Sequence, residues 1–218
     1  MQLRRFTLNL AGVILLTCVG QASAGTLTSN LSSEYTGGDP PEGATPWLTT
    51  TFDDGGSPGT IDLTLEANNL TDIEFIGEWL FNLDPVLDPT ALSFSTMTMS
   101  EIFAAPTINT GVDAYHAVGD GLFALQILFA NSGDWSAKFG FGDSLTTTIS
   151  GTGLVASSFD FGSAPAGESA GPLRSAVHIQ EIGGAGVGSG WISTPDPSSP
   201  VLTEVGLFSL LAYVWQSR

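Results

Sequence analysis

The chain has 218 residues, of which 22 are Asp or Glu, five are Lys or Arg and one is Cys. The formal net charge of −17 repels nucleic acid and anionic lipid headgroups, so we exclude nucleic acid as a partner. The single cysteine, Cys18, excludes an internal disulfide, so packing of the core must hold the fold together.

The first 24 residues have the three parts of a secretory signal peptide: a basic pair, an apolar run and a small-residue cleavage site. The apolar run spans 8–19 and is shorter than the roughly 20 residues that a transmembrane helix needs. We predict a signal helix in 1–24, recognition by the secretion machinery and cleavage after Ala24. The basic pair is Arg4 and Arg5, and the cleavage site consists of Ala22, Ala24 and Gly25. The remaining 194 residues keep all 22 acids and three basic residues, a net charge of −19.

The segment 25–193 is predicted to be one all-β domain, an antiparallel β-sandwich or jelly roll. In 61–65 apolar and polar residues alternate with a period of two, the pattern of a strand with one buried face. Clusters of turn residues at 53–56 and 131–134 separate such runs. The almost wholly apolar run 122–130 predicts an internal strand covered on both faces. The predicted strands are 47–52, 60–67, 73–83, 91–97, 122–130, 145–150, 154–161 and 176–182.

A glycine-rich segment occupies 183–190. A phosphate-binding loop would continue with Lys and Ser or Thr and then a helix, and neither follows here. We interpret the segment as a flexible hairpin connection between the strand that ends near Ile182 and the pair Trp191–Ile192.

The sequence offers little support for catalysis by histidine. His116 and His178 are the only histidines, and no zinc-binding or nucleophile motif accompanies them. We place His178 on a strand as a wet or half-buried residue and His116 in a loop. These observations predict a protein that is not an enzyme. A secreted hydrolase remains an alternative, since two of the 22 acids could form a carboxylate pair.

The acidic loops favour Ca²⁺ as a cofactor, although the sequence is also consistent with a protein that needs no cofactor. Asp53 and Asp54 lie in a glycine-rich turn, and Asp84 and Asp88 flank another. Carboxylate oxygens on such loops are the ligands that Ca²⁺ prefers. Acidic loops can equally be exposed to water without binding a metal ion.

Exposed aromatic side chains on a sandwich could stack on sugars, which makes a carbohydrate-binding module, with or without Ca²⁺, the first alternative, ahead of the hydrolase. Tryptophan in a strand usually belongs to the core instead. The candidates are Trp47, Trp79, Trp135 and Trp191.

The character of the chain changes after Ser193. A linker rich in Pro and Ser covers 194–200, and a mostly apolar tail covers 201–218. As a helix, 201–215 would be about 22 Å long, against a hydrocarbon core of about 30 Å. The tail is therefore either a marginal, transient membrane anchor or a docking helix.

This tail resembles that of proteins carrying a PEP-CTERM sorting signal, which an exosortase processes. Pro195, Asp196 and Pro197 stand in the position of the Pro-Glu-Pro motif, and Arg218 in that of the terminal basic cluster. The segments 78–85, 142–159 and 176–183, and the Ser-Gly-Trp-Ile of 189–192, also resemble segments of such exported proteins.

The resemblance implies export and recognition of the tail at the inner membrane by an exosortase-like membrane protease that removes it. It also implies a place in the cell envelope or extracellular matrix, where exopolysaccharide is a candidate partner. Most domains of this class have no assigned activity, so the activity itself is left open.

Overall fold

The computed structural model describes residues 24–71, 73–101, 103–119, 121–165, 172–183 and 187–194. The predicted signal and tail helices lie outside these ranges, as do Ala22, Pro195, Asp196, Pro197 and Arg218. The described strands are β1 (Thr26–Leu31), β2 (Ser33–Glu34), β3 (Leu48–Asp53), β4 (Thr60–Ala67), β5 (Phe75–Phe81), β6 (Ser93–Phe94), β7 (Thr98–Met99), β8 (Thr107–His116), β9 (Leu122–Leu128), β10 (Phe139–Gly140), β11 (Ser144–Ser150), β12 (Ser175–Ile182) and β13 (Gly188–Ser193). The helices of the described ranges are short 3₁₀ turns at Pro89–Ala91, Trp135–Ala137 and Ala156–Phe159.

The strands form two antiparallel sheets. The first has the order β1-β3-β4-β11-β6, and β7 also pairs with β11. The second has the order β2-β13-β12-β5-β9-β8, and β10 also pairs with β5. The predicted all-β antiparallel sandwich is confirmed. Among the described residues, none of the helices has the length and hydrophobicity needed to cross a bilayer.

One face of the first sheet is buried, and the other is exposed to solvent. Along β4 the side chains of Ile61, Leu63 and Leu65 are fully buried, while Asp62 is exposed and Thr64 half-buried. The period-two prediction for this strand is therefore confirmed.

The wet face of this sheet carries a row of threonines. Thr28, Thr51, Thr64 and Thr146 lie opposite one another across four neighbouring strands. The hydroxyls of Thr28 and Thr51 are 3.4 Å apart, as are those of Thr64 and Thr146. Cross-strand pairs of this kind stabilise the register of a sheet.

The main core lies between the two sheets. Phe52 of the first sheet meets Phe81 of the second edge-on, with ring centroids 5.4 Å apart. The ring of Phe159, in the last 3₁₀ turn, stacks on Phe52 at 4.0 Å. Burying a side chain of this size stabilises the fold by about 1.5–3 kcal/mol, so these contacts hold the layers together.

The second sheet has apolar residues on both faces. β9 lies between β5 and β8; its Leu125 and Ile127 belong to the main core, and its Phe123 belongs to a second cluster with Leu80 and Trp191. The predicted internal position is confirmed, but coverage on both faces is not complete, because Leu122 and Gln126 are half-buried and Leu128 is 37% exposed.

Two predicted strands are wrong or much reduced. The segment 154–161 contains the 3₁₀ turn Ala156–Phe159, closed by the bond from the Ser158 amide to the Val155 carbonyl, 2.9 Å. Its apolar spacing suited a strand, but the turn is what brings Phe159 onto Phe52. The segment 91–97 keeps only the two residues of β6 as strand.

Candidate functional site

Asp54, one of the two predicted calcium ligands, accepts hydrogen bonds from three backbone amides. Its carboxylate receives the N–H of Gly25 at 2.7 Å, of Gly56 at 3.0 Å and of Ala156 at 3.3 Å. These bonds, that from Gly25 first, hold the pKa of Asp54 below its usual range. The residue is 8% exposed. Its carboxylate thus ties three chain segments together.

The other acidic loop residues bond to their own turns. Asp53 is exposed and accepts the N–H of Gly55 at 2.9 Å. Asp84 accepts the N–H of Val86 at 3.0 Å. Within the described residues, no three His, Cys, Asp or Glu side chains are arranged to hold a metal ion. Calcium binding at Asp53 and Asp54 stays a prediction.

Four of the tryptophans fall in the described ranges, and they divide sharply by exposure. Trp47, Trp79 and Trp191 are 6%, 0% and 8% exposed. Trp135 is 41% exposed and begins a 3₁₀ turn. Of the four candidates for sugar stacking, Trp135 is the one that presents its ring to solvent.

Trp135 forms one wall of an open cleft of about 400 Å³. The second exposed aromatic ring of this cleft belongs to Phe141, which is 62% exposed. Two carboxylates and a hydroxyl share the same cleft, those of Glu101, Asp143 and Ser136. Apolar surface with a few polar groups is the usual composition of a ligand site.

The floor of the cleft is held by a buried lysine. Lys138 Nζ lies 3.8 Å from the centroid of the Phe75 ring and 2.9 Å from Glu181 Oε1. The Trp135 ring stands edge-on to Phe75, with centroids 6.1 Å apart. With Lys138 Nζ 5.4 Å from the centroid of the Trp135 ring, the lysine and Phe75 both pack against the indole, which otherwise remains exposed.

Asp143 occupies the turn between β10 and β11. Its Oδ2 accepts the N–H of Gly140 at 2.8 Å, and its own N–H bonds to the Gly140 carbonyl at 3.1 Å. Gly142, between them, has a φ of 80°, which favours glycine. Burial raises the pKa of Asp143; the N–H of Gly140 opposes that rise, and the negative charge of Glu101 adds to it.

Glu101 reaches the cleft through the pairing of β7 with β11. The Ser100 N–H bonds to the Ser144 carbonyl at 3.0 Å, and the Ser144 N–H bonds to Ser100 Oγ at 2.8 Å. Two distant parts of the chain thus supply the two carboxylates.

Sequence reasoning considered Trp135 but did not single out Lys138, Phe141 or Asp143. One signal was present: Lys138 is the only lysine of the chain, and it stands three residues after Trp135 and three before Phe141. A lone cation between aromatic residues indicates a cation–π contact.

A second cleft, of about 350 Å³, lies at the other end of β5. It is lined by Asn82, Asp84, Asp113 and Phe161, among others. Asn82 is 4% exposed, and its buried Nδ2 has no hydrogen-bond partner among the residues that the structure describes. An unpaired buried amide costs about 1–3 kcal/mol.

The histidines lie outside both clefts. His178 is half-buried, as predicted, and stacks on Trp191 with centroids 5.0 Å apart; burial lowers its pKa. The prediction that His116 lies in a loop is wrong, because His116 is the last residue of β8.

The chain matches no family model, and comparisons with curated proteins and with solved structures find no match.

Proposed function

We propose that this protein is an exported, non-enzymatic glycan-binding protein of the cell envelope or extracellular matrix, and that the Trp135 cleft is its binding site. The observation that carries the proposal is an exposed Trp135 beside the carboxylate of Asp143. A sugar ring has an apolar C–H face and a rim of hydroxyl groups. The indole can stack on the apolar C–H face, and carboxylate oxygens can accept hydrogen bonds from the hydroxyl groups.

The charge of the protein favours neutral glycans over anionic ones. Of the basic residues in the described ranges, Lys138 pairs with Glu181 at 2.9 Å and Arg174 with Asp160 at 2.8 Å. The 22 acids of the chain far outnumber its five basic residues. An anionic polysaccharide would therefore be repelled from this surface.

The test is binding of the purified protein to an array of neutral and anionic glycans, followed by titration of any glycan bound. We expect Trp135→Ala to weaken binding at least tenfold, which corresponds to about 1.4 kcal/mol. The control is Val187→Ala, which alters another exposed apolar side chain (89% exposed) outside both clefts. Equal affinity of the Trp135 variant and the wild type would refute the site.

Hydrolysis of a glycan is a second candidate, because the raised pKa of Asp143 suits a general acid. In that case reducing ends would appear when the bound glycan is incubated with protein, and Asp143→Asn would abolish them while leaving binding in place. Binding without release of reducing ends supports the non-enzymatic function.

We also propose that the tail directs the protein to the envelope, in the manner of the PEP-CTERM class. The support is the arrangement of Pro195, Asp196, Pro197 and Arg218 around the apolar segment. A chain ending at Ser193 should retain its β-sheet circular dichroism and appear in a different cell fraction. An unchanged location would refute the sorting role.

A further inference from the structure

Gly25 and Asp54 are joined by two reciprocal hydrogen bonds. The Gly25 N–H donates to Asp54 Oδ1 at 2.7 Å, and the Asp54 N–H donates to the Gly25 carbonyl at 3.0 Å. Gly25 directly precedes β1, and Ala24 before it is exposed. The bond between Ala24 and Gly25, where the signal is predicted to be cut, therefore lies at the surface beside a buried carboxylate.

The same carboxylate also bonds to its own turn and to one further segment. It accepts the N–H of Gly56, in the turn between β3 and β4, and that of Ala156, in the last 3₁₀ turn. Since Asp54 is 8% exposed, little water competes for its oxygens. Whatever group residue 25 presents at this point is held at the junction of three segments.

The space at this junction is tight for any residue larger than glycine. A Cβ on Gly25 would lie 2.8 Å from Asp54 Oδ2 and 3.7 Å from the Ala156 Cβ. The first distance is shorter than a carbon–oxygen contact allows, and the carboxylate is fixed by its other bonds. The residue type after the predicted cleavage site thus has a structural reason apart from recognition by a peptidase.

We propose that Asp54 is the binding site for the α-ammonium group that cleavage after Ala24 creates on Gly25. The inference rests on the proposed export. A peptidase of the secretion machinery adds water across the peptide bond: the bond from the Ala24 carbonyl carbon to the Gly25 nitrogen breaks, Ala24 leaves as a carboxylate, and the Gly25 amine takes up a proton. A neutral N–H···carboxylate bond becomes an ion pair without movement of the chain.

Maturation then strengthens the fold at the start of β1. The amide bond to the ionised carboxylate is already charge-assisted, and a positive charge on the donor adds direct Coulomb attraction to it. Before cleavage, the same junction has only the weaker amide bond, so the precursor opens more easily at this edge strand. A chain that must be unfolded for export and stable afterwards benefits from that order of events.

The charges near the junction are few. The titratable groups on the elements that meet there are Asp53 on β3, Asp62 and Glu66 on β4, and Asp160 after the 3₁₀ turn. Glu66 lies near the far end of β4, opposite Thr49. Asp53 and Asp62 lie opposite each other and are exposed, and Asp160 pairs with Arg174. Asp53 and Asp62 add negative potential, which favours an ammonium ion at Gly25, whereas Arg174 offsets the charge of Asp160.

The experiment compares the chain 25–218 with the chain 24–218, in which Ala24 restores an amide at residue 25. The pKa of each α-amine is measured by NMR with a labelled first residue. We expect the Gly25 amine to titrate at least one unit above the ordinary α-amine range of about 7.7–8.0, and the Ala24 amine to titrate within it. Below that range the ion pair adds stability, which is lost as the pH rises through the raised pKa.

Asp54→Asn should return the Gly25 amine to the ordinary range, whereas Asp53→Asn, which alters the neighbouring exposed carboxylate, should leave it raised. If Asp54→Asn does not fold, the two wild-type chains still decide the matter, because equal pKa values for their amines would overturn the proposal. Sequencing the N-terminus of the exported protein tests export separately. A start at another residue contradicts the predicted cleavage and leaves the pKa comparison valid.

Discussion

Replacing Lys138 with methionine tests whether the floor of the Trp135 cleft is held by the lysine charge. The Lys138 side chain is 8% exposed, while that of its partner Glu181 is 36% exposed. Methionine keeps a similar length and apolar stem and removes only the ammonium group. The variant therefore separates the charge from the packing.

The expected loss is about 1.5 kcal/mol. A cation–π contact as shielded as Lys138 on Phe75, 3.8 Å from the ring centroid, is worth about 2 kcal/mol. The ion pair adds only about 0.5 kcal/mol, because water screens the half-exposed Glu181. A methionine sulfur against the same ring returns about 1 kcal/mol. At about 2–4 °C per kcal/mol for a domain of this size, Tm should fall by about 3–6 °C.

Urea unfolding of wild type, Lys138→Met and Glu181→Gln measures the terms separately. Glu181→Gln removes the ion pair and keeps the contact with Phe75, so we expect it to cost only about 0.5 kcal/mol. Equal losses in the two variants would show that the lysine charge gains no more from the Phe75 ring than a methionine sulfur does. A Lys138→Met protein as stable as the wild type would refute the assigned role of the lysine altogether.

Three further predictions concern buried groups. Asp143→Asn should raise Tm at pH 7, because the raised pKa of Asp143 means that its charged form destabilises the fold; the difference from wild type should vanish as the pH falls below the usual value of 3.8. Phe52→Ala should lower the free energy of unfolding by about 3–5 kcal/mol, measured by urea, since its ring joins Phe81 and Phe159; a loss under about 1 kcal/mol would contradict that role. Removing Ca²⁺ with a chelator should leave Tm unchanged, because the Asp54 carboxylate already accepts three N–H groups; a clear fall would support calcium binding.

The strands that sequence predicted well are those whose two faces differ. β4 was placed at 60–67, its observed bounds, because buried Ile61 and Leu63 alternate with outward polar residues. β1 and β8 were missed because they lie at the edges of their sheets and are rich in polar residues. Their strand character comes from pairing with a neighbour, which a local pattern does not contain.

The site could be predicted only in part. Trp135 was one of four candidate tryptophans, and which of the other three are buried depends on contacts with distant parts of the chain. The two carboxylates of the cleft meet because β7 pairs with β11, a contact between residues 44 positions apart in sequence. Pairing over such a distance is set by the whole fold, so Glu101 and Asp143 could not be singled out beforehand.

Asp54 and Asp143 show how the same side chain serves the fold in one place and remains for a ligand in another. Asp54 accepts three amides and its pKa is lowered, so removing its charge would release three segments. Asp143 accepts one amide, is partly buried and has a raised pKa, so its charge works against the fold. A destabilising group that lines a cleft beside an exposed tryptophan is explained better by function than by stability. If Asp143→Asn stabilised the protein and changed neither glycan binding nor the release of reducing ends, neither explanation would hold, and the carboxylate would no longer support a function for the cleft.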